Sequence, residues 1–556
     1  MSTAQGTVRR LIVYSLLFAL VTIAAIGIAG LLERLLGVGS ELVFGGTLDL
    51  ARSLAFALIG GPLAAVLWLS VWRRLRDDAE RASLAWGLYL AAMYTVALVV
   101  ATSTLVGTAA SLVDGDRQPG TFAAFVTWTL VWVWHRWMWR HPAKHPVRLQ
   151  TVPAVAGSVF GLVVGAGGAV NALGTLFDTA IREVSESAIA GSPWEQLTVD
   201  GFIWAVAGAV IWWWHWYREG AKHLGTGLAA VALVVVGVMA AGLLMLGGLG
   251  TSLWVGLRIA FDGSAPAGEI LRPLGAALAS SLVGALVWTY HRQIAAGRSD
   301  GTRRASMLVM SGVGLIGAAT GIGIIVNSVL AALVNPLASS DARSLLLGGI
   351  SALVVGGPVW WLSWRPTAHV EPAEIAYPGR RVYLVTVFGL SAIVALITLL
   401  VIGFQLFAFG LASTSGASLI DEVRAPLGLL VATVLVFGYH FAVWRRDRSV
   451  IAAAGLAPDQ RVGRVILVAG GQTTEIEQAI RATGASVSVW RSAEPAVELE
   501  PEAGAAPEPD AGSPGEAGAR RPSPQAVVAA LAGVAAKRVV IIAGPGDRVE
   551  VIHLAD

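Results

Sequence analysis

The sequence predicts an all-α polytopic membrane bundle of about twelve transmembrane helices, arranged as six repeated hairpins, with a small C-terminal α/β cytosolic domain. Three observations predict it. Apolar residues make up 55% of the chain and charged residues 13%, about half the ~25% usual in soluble domains. Mean hydropathy is +0.69, a membrane value. Apolar stretches of roughly 18 to 30 residues, enough to cross a hydrocarbon core of ~30 Å, follow one another in pairs.

The pairs occupy about residues 9–76, 81–141, 147–219, 222–294, 303–366 and 380–448, so that 1–448 forms the transmembrane domain. The first apolar run, Leu11 to Leu36, is too long for the core of a signal peptide and is followed by further spans; it reads as a retained first helix. Arg10, Arg148 and Arg304 each open a pair, and some 23 residues later Glu33, Asn171 and Asn327 close related stretches, GIAGLLE, GAGGAVN and GIGIIVN. Second helices also close alike. Trp132-Val-Trp134-His135, Trp212-Trp213-Trp214-His215, Trp288-Thr289-Tyr290-His291 and Phe437-Gly438-Tyr439-His440 share a pattern, and Trp68-Leu69-Ser70 and Trp361-Leu362-Ser363 vary it after a Gly-Gly-Pro. Most of the 21 tryptophans fall in second helices, as an aromatic belt on one membrane face would require. Gly161/Gly165 and Gly317/Gly321 have the four-residue spacing that lets helix backbones approach in lipid.

Charge sets the expected orientation. Loops joining one pair to the next hold Arg73, Arg74, Arg76, Arg81, Arg136, Arg140, Lys144 and their counterparts later in the chain, whereas loops inside pairs hold few cations and many acids. By the positive-inside bias both termini lie in the cytoplasm of a cell (inner) membrane protein. The net charge of +3 follows from this arrangement and implies no nucleic-acid partner. The absence of cysteine excludes disulfides, thiolate catalysis and cysteine-based metal sites.

Beyond Arg448 the chain turns soluble in character. Arg464–Gly470 and Ala485–Trp490 read as strands around a helix at Thr474–Thr483; Ser523–Ala536 reads as a helix, and Arg538–Ala543 and Arg548–Leu554 as strands. The expected α/β domain thus occupies 462–492 and 525–556. Residues 493–524, rich in Pro, Ala, Gly and Glu without apolar periodicity, read as a disordered acidic linker.

Three sets of residues invite a site. His135, His215, His291 and His440 hold equivalent places, so pseudo-symmetry could gather some as metal or haem ligands; as interfacial groups like their tryptophan neighbours they would bind nothing. Glu33, Asn171 and Asn327 lie about 35 Å of helix beyond their arginines, at ~1.5 Å per residue, hence at the outer interface. They either end helices or form a shared outer rim. In the tail, Gly470, Gly471 and Thr473 make a strand–glycine–helix turn that can hold phosphate on backbone N–H groups. It lacks a third glycine and a Walker lysine, and Thr473 or Thr474 could simply cap the helix. No nucleophile elbow, His-Glu-x-x-His or Walker motif appears, and mid-span charge is almost absent.

The arginine that opens a hairpin, and the Trp, Trp/Tyr and His/Ser that close it before an arginine, resemble an uncharacterised bacterial family of tandem-repeated membrane domains, a domain of unknown function. The resemblance covers about residues 9–446 and not the tail. It implies a multi-pass bacterial membrane protein and supplies no activity, cofactor or catalytic residue. The sequence reading is of a non-enzymatic scaffold, sensor or regulator, with the bilayer around it and a cytosolic protein partner at its tail. A channel or transporter for an apolar or weakly polar solute is the alternative.

Overall fold

The computed structural model describes residues 3–38, 46–185, 194–263, 265–334, 339–368, 375, 377–411, 418–454, 464–469, 473–483, 485–491, 522–531, 534, 538–543 and 549–554. Long helices dominate them: α1 (Thr3–Leu36), α2 (Thr47–Arg74), α3 (Leu84–Val113), α4 (Pro119–Arg140), α5 (Val152–Ser185), α6 (Trp194–Arg218), α7 (Gly227–Phe261) and α8 (Ala267–Arg298). They continue as α9 (Asp300–Val334), α10 (Ser339–Ala368), α11 (Pro378–Leu411) and α12 (Leu419–Ala453). Among the described residues eleven helices are long and apolar enough to cross a membrane. The other expected span, α4, is 22 residues long. Its five tryptophans, with His135 and Arg136, make it amphipathic in composition rather than purely aliphatic. The chain is thus a protein of many long apolar helices with a small C-terminal strand region.

Glycine sets the contact between α5 and α6 and between α9 and α10, each packed antiparallel. Along α5 and α6, Gly161 meets Trp212, Gly165 meets Gly208 and Ala209, and Gly168 meets Ala205, so that one backbone lies directly on the other. Along α9 and α10, Gly314 meets Trp360 and Gly321 meets Leu353; a Cβ at Gly356 would come within 2.6 Å of the Ala318 nitrogen. Water does not drive helices together inside a bilayer, so close contact and buried polar bonds must do it.

A second contact recurs every four helices. The first helix of each set of four packs on the fourth: α1 on α4, α5 on α8, and α9 on α12 through Gly323 and Gly428. The second packs on the fourth through aromatics. Trp216 of α6 donates its indole N–H to the Tyr290 hydroxyl of α8 at 2.9 Å, and Trp364 of α10 donates to Tyr439 of α12 at 2.8 Å. Trp212 and Trp360, one turn earlier, meet the same two tyrosine rings edge-to-face, with centroids 5.7 and 5.5 Å apart.

Proline and glycine also shape α2. Phe56–Gly60 winds as a π-turn immediately before Gly61-Pro62. Proline lacks an N–H and crowds the carbonyl four residues back, so the ladder there is widened rather than continued.

The chain divides into two compact units, 1–369 with 386–439, and 370–385 with 440–556. The boundary falls within α11 and α12 rather than after residue 448. In the second unit β1 (Arg464–Ala469), α13 (Thr474–Ala482), β2 (Ser486–Arg491), α14 (Pro524–Leu531), β3 (Arg538–Ala543) and β4 (Val549–His553) form a sheet of order β2-β1-β3-β4, parallel except for β4. The expected tail elements are all present, with α14 shorter than read. The expected linker, 493–524, lies outside the described residues apart from its last three.

Val465, Leu467, Val539 and Ile541 are fully buried beneath Ile476 and Ile480 of α13 and Val527 and Leu531 of α14. Strand side chains alternate between faces. The other face therefore carries Ile466, Val468, Val540 and Ile542, each half-buried, with Trp490 and Ile552 exposed at 62% and 39%.

Candidate functional site

The histidines are core residues. His135, His215, His291 and His440 are 0–3% exposed, so they are not the wetted ring tips that an interfacial anchor would show. Three use the same local bond: Nδ1 of His135, His215 and His291 donates to the carbonyl four residues back, Val131, Ile211 and Val287, at 2.7–2.8 Å. A carbonyl can only accept, so Nδ1 carries the proton, and Nε2 of a neutral ring is left as an acceptor.

Two of these Nε2 atoms face a tyrosine hydroxyl. Tyr89 donates to His135 at 3.0 Å and Tyr94 to His215 at 2.8 Å. Both tyrosines stand on α3; His135 lies on α4 and His215 on α6, so one helix ties two neighbours through buried bonds. His215 fits because α5 has Gly157 there: a Cβ would overlap the imidazole. Gly237 of α7 makes the same room for His291. His291 packs among Trp212, Trp216 and Tyr290, and His440 lies edge-on to Tyr383 at 6.1 Å. The four rings thus have separate partners, and no group of three or more His, Asp or Glu among the described residues could hold a metal ion.

The described residues also hold buried ion pairs that the sequence reading did not pick out. Glu80, in a short helix between α2 and α3, accepts from Arg10 Nε at 2.8 Å and from the Tyr14 hydroxyl at 2.9 Å. Glu219 receives Arg136 and Arg140 at 3.2 and 3.3 Å. Asp447 takes both ends of the Arg380 guanidinium at 2.7 and 3.2 Å. The opening arginine of a hairpin, at Arg10 and Arg380, is therefore held by an acid at the hairpin's close. An acid set among cations was the available signal: Glu80 with Asp77 and Asp78 before Arg81, Glu219 after Arg218, Asp447 between Arg446 and Arg448. Lys144, in the loop after α4, donates to the Trp72 carbonyl at 3.0 Å and lies over its ring at 4.4 Å. Burial, then Arg76 and Arg81, pushes its pKa below the ordinary lysine value.

The outer polar residues do not form one rim. Glu33 places its carboxylate against Gly120 in the first turn of α4, where a helix N-terminus favours negative charge. Asn327 accepts from Arg424 of α12 at 3.0 Å. Asn171 is exposed; in its four-helix set Asp178, two turns on, meets α8 instead, receiving the Gly275 N–H. Glu33, Asn327 and Asp178, but not Asn171, serve the contact between first and fourth helices.

In the tail, Gly470 and Gly471 lie outside the described residues. Thr473 sits at the start of α13, but its hydroxyl donates to Glu477 Oε1 at 2.9 Å and caps no backbone N–H. Glu475 and Glu477 put negative charge in the first turn, which opposes an anion there.

Two lateral grooves stand out among the described residues. One of about 350 Å³ is walled by Ala64, Ala65, Trp68 and Trp134, with Tyr89 and His135 in its lining. Another, of about 380 Å³, runs between α7, α9 and α10.

Compared with known proteins, the chain matches one family, Domain of unknown function (DUF5671), twice, over residues 10–134 and 304–439. The resemblance to a tandem-repeated domain of unknown function holds over these two stretches. Each covers four helices, α1–α4 and α9–α12. No curated protein and no solved structure matches the chain.

The buried pairs predict a cost when one partner is removed. Tyr94→Phe keeps the ring and leaves His215 Nε2 without its donor, so it is expected to destabilise the detergent-solubilised protein by about 1–3 kcal/mol. Tyr217→Phe, at an exposed hydroxyl, is the control and should change little. Thermal unfolding of both variants checks this, and equal melting temperatures would contradict a structural role for the pair.

Proposed function

We propose that this chain is a non-enzymatic multi-pass protein of the cell (inner) membrane that scaffolds, senses or regulates, and that its tail is the module through which it holds a cytosolic protein partner. In this reading twelve helices cross the bilayer as six hairpins, grouped in three four-helix modules, and both termini face the cytoplasm. The arginine and lysine skew supports the orientation, and the recurring first-to-fourth helix contact supports the modules. The observation that carries the function is the open face of the tail sheet. Trp490 at 62% exposure beside half-buried Val468 and Ile542 forms an apolar surface of the kind that marks an interaction site.

A channel or transporter for an apolar or weakly polar solute is favoured by a different observation, the lateral grooves in the helical unit. The two readings differ in what they need from the tail.

Affinity capture from detergent extracts separates them. A partner recovered with the full chain should be lost without residues 449–556 and weakened by Trp490→Asp. If no partner depends on the tail, the regulatory reading loses its support.

The orientation has its own check, because a chain without cysteine accepts single cysteines cleanly. Ser187→Cys is expected to react with an impermeant thiol reagent on intact cells and Ser299→Cys to stay unlabelled. The reverse pattern would invert the topology.

A further inference from the structure

Glycines in this protein are of two kinds. Many of those in the helical unit lie where a Cβ would strike a neighbouring helix, as at Gly161, Gly208 and Gly356, and others, such as Gly167 and Gly403, face open space. Three that meet little lie together in the seam between α7 and α10. A Cβ at Gly247 would meet nothing within 4 Å, one at Gly250 only the Ser351 hydroxyl at 3.9 Å, and one at Gly348 only the Trp254 indole at 3.5 Å. Interior helical glycine costs about 0.5–1 kcal/mol relative to alanine. Neighbouring backbone does not require these three. What they share is the groove of about 380 Å³ that they line.

The groove's chemistry narrows what fits it. Two of its polar wall groups are bonded inside the protein: Trp254 donates its indole N–H to the Ser344 carbonyl at 3.0 Å, and the Ser351 hydroxyl donates to the Gly250 carbonyl at 2.5 Å. The rest of the lining is aliphatic side chain and glycine, with one further hydroxyl at Thr251 and no charged group. Leu243 and Ile316, at its edge, are 47% and 65% exposed and belong to the lipid-facing surface. The groove is therefore continuous with the face the helices turn to the bilayer, at a depth where hydrocarbon, not water, is the solvent.

We propose that this groove is a binding site for one acyl chain of a bilayer phospholipid, laid along α7 between α9 and α10. With Trp254 and Ser351 bonded inside the protein, Thr251 is the one further polar side chain in a lining that is otherwise apolar, and the open glycines give the chain its width. On α7, Trp254 lies at one end of the groove. One turn further, Arg258 lies over its ring at 5.1 Å and pairs with Asp262 at 3.2 Å. The site does not depend on the tail, and it stands whether or not the protein moves solutes.

The test uses the full chain in phosphatidylcholine vesicles containing a phosphatidylcholine with a diazirine on one acyl chain. After irradiation, adducts are mapped by peptide mass spectrometry. Labelling at Leu246, Val313 and Val355 should exceed that at other lipid-facing aliphatic residues, such as Leu400. Gly247→Leu, whose Cβ meets no protein atom within 4 Å, should cut groove labelling roughly tenfold, a shift of about 1.4 kcal/mol. Its labelling elsewhere and its melting temperature should not change. Should that variant fold poorly, Gly250→Val supplies the same obstruction one turn away. Uniform labelling across lipid-facing residues, or groove labelling untouched in a folded filled variant, would overturn the site. Enrichment with a free diazirine fatty acid but not with the phospholipid would overturn the phospholipid assignment.

Discussion

Inside hydrocarbon a helix gains nothing from hiding its apolar face, because the lipid is as apolar as its neighbour. Every polar group that leaves the backbone ladder must also find a partner within the protein, since no water is at hand. Much of the bundle follows from these two conditions. Glycines bring α5 onto α6 and α9 onto α10 until backbones touch. Tyr89, Tyr94, Tyr290 and Tyr439 then bond across helices to histidine or tryptophan. Arg10, Arg136 and Arg380 meet buried acids. A buried ion pair is weak evidence for net stability, but breaking one strands a charge. Such pairs therefore fix which helices neighbour which.

Much of the fold was legible in the sequence because period, length and charge are local properties. The helix positions, the four-residue glycine spacings and the tail strands all came from short windows. The roles of the histidines were not legible. A Trp–His pair near the end of a span looks the same whether its face meets headgroups or another helix, and burial depends on a tyrosine 46 residues away for His135 and 121 for His215. The acids Glu80, Glu219 and Asp447 were hidden by their basic neighbours, whose charge reads as topology. Glu33, Asn171 and Asn327 are equivalent in sequence but not in contact: in the middle set Asp178 takes the place that Glu33 holds in the first. Equivalent position fixes the region of a contact, not the atom that makes it.

The four-helix grouping connects these observations. The family matches fall on α1–α4 and α9–α12, and neither includes α5–α8. Yet the intervening helices repeat the same arrangement, with first helix on fourth and Trp216 bonded to Tyr290 as Trp364 is to Tyr439. We read α5–α8 as a third module built on the same contacts. On that reading the groove walled by α7, α9 and α10 is a seam between modules, where bilayer lipid can enter without disturbing the contacts inside either one.

The claim that α5–α8 form such a module is most directly tested by a cross-link between its first and fourth helices. Gly174 of α5 faces Ala276 of α8, with Cβ positions 3.9 Å apart, inside the roughly 3.5–4.5 Å range of a disulfide. In the cysteine-free chain, Gly174→Cys with Ala276→Cys should oxidise in intact membranes to a bond within one chain. A protease site inserted after Gly225 would then yield two fragments that separate only on reduction. Fragments that separate without reductant, or a cross-link found only between chains, would contradict the module.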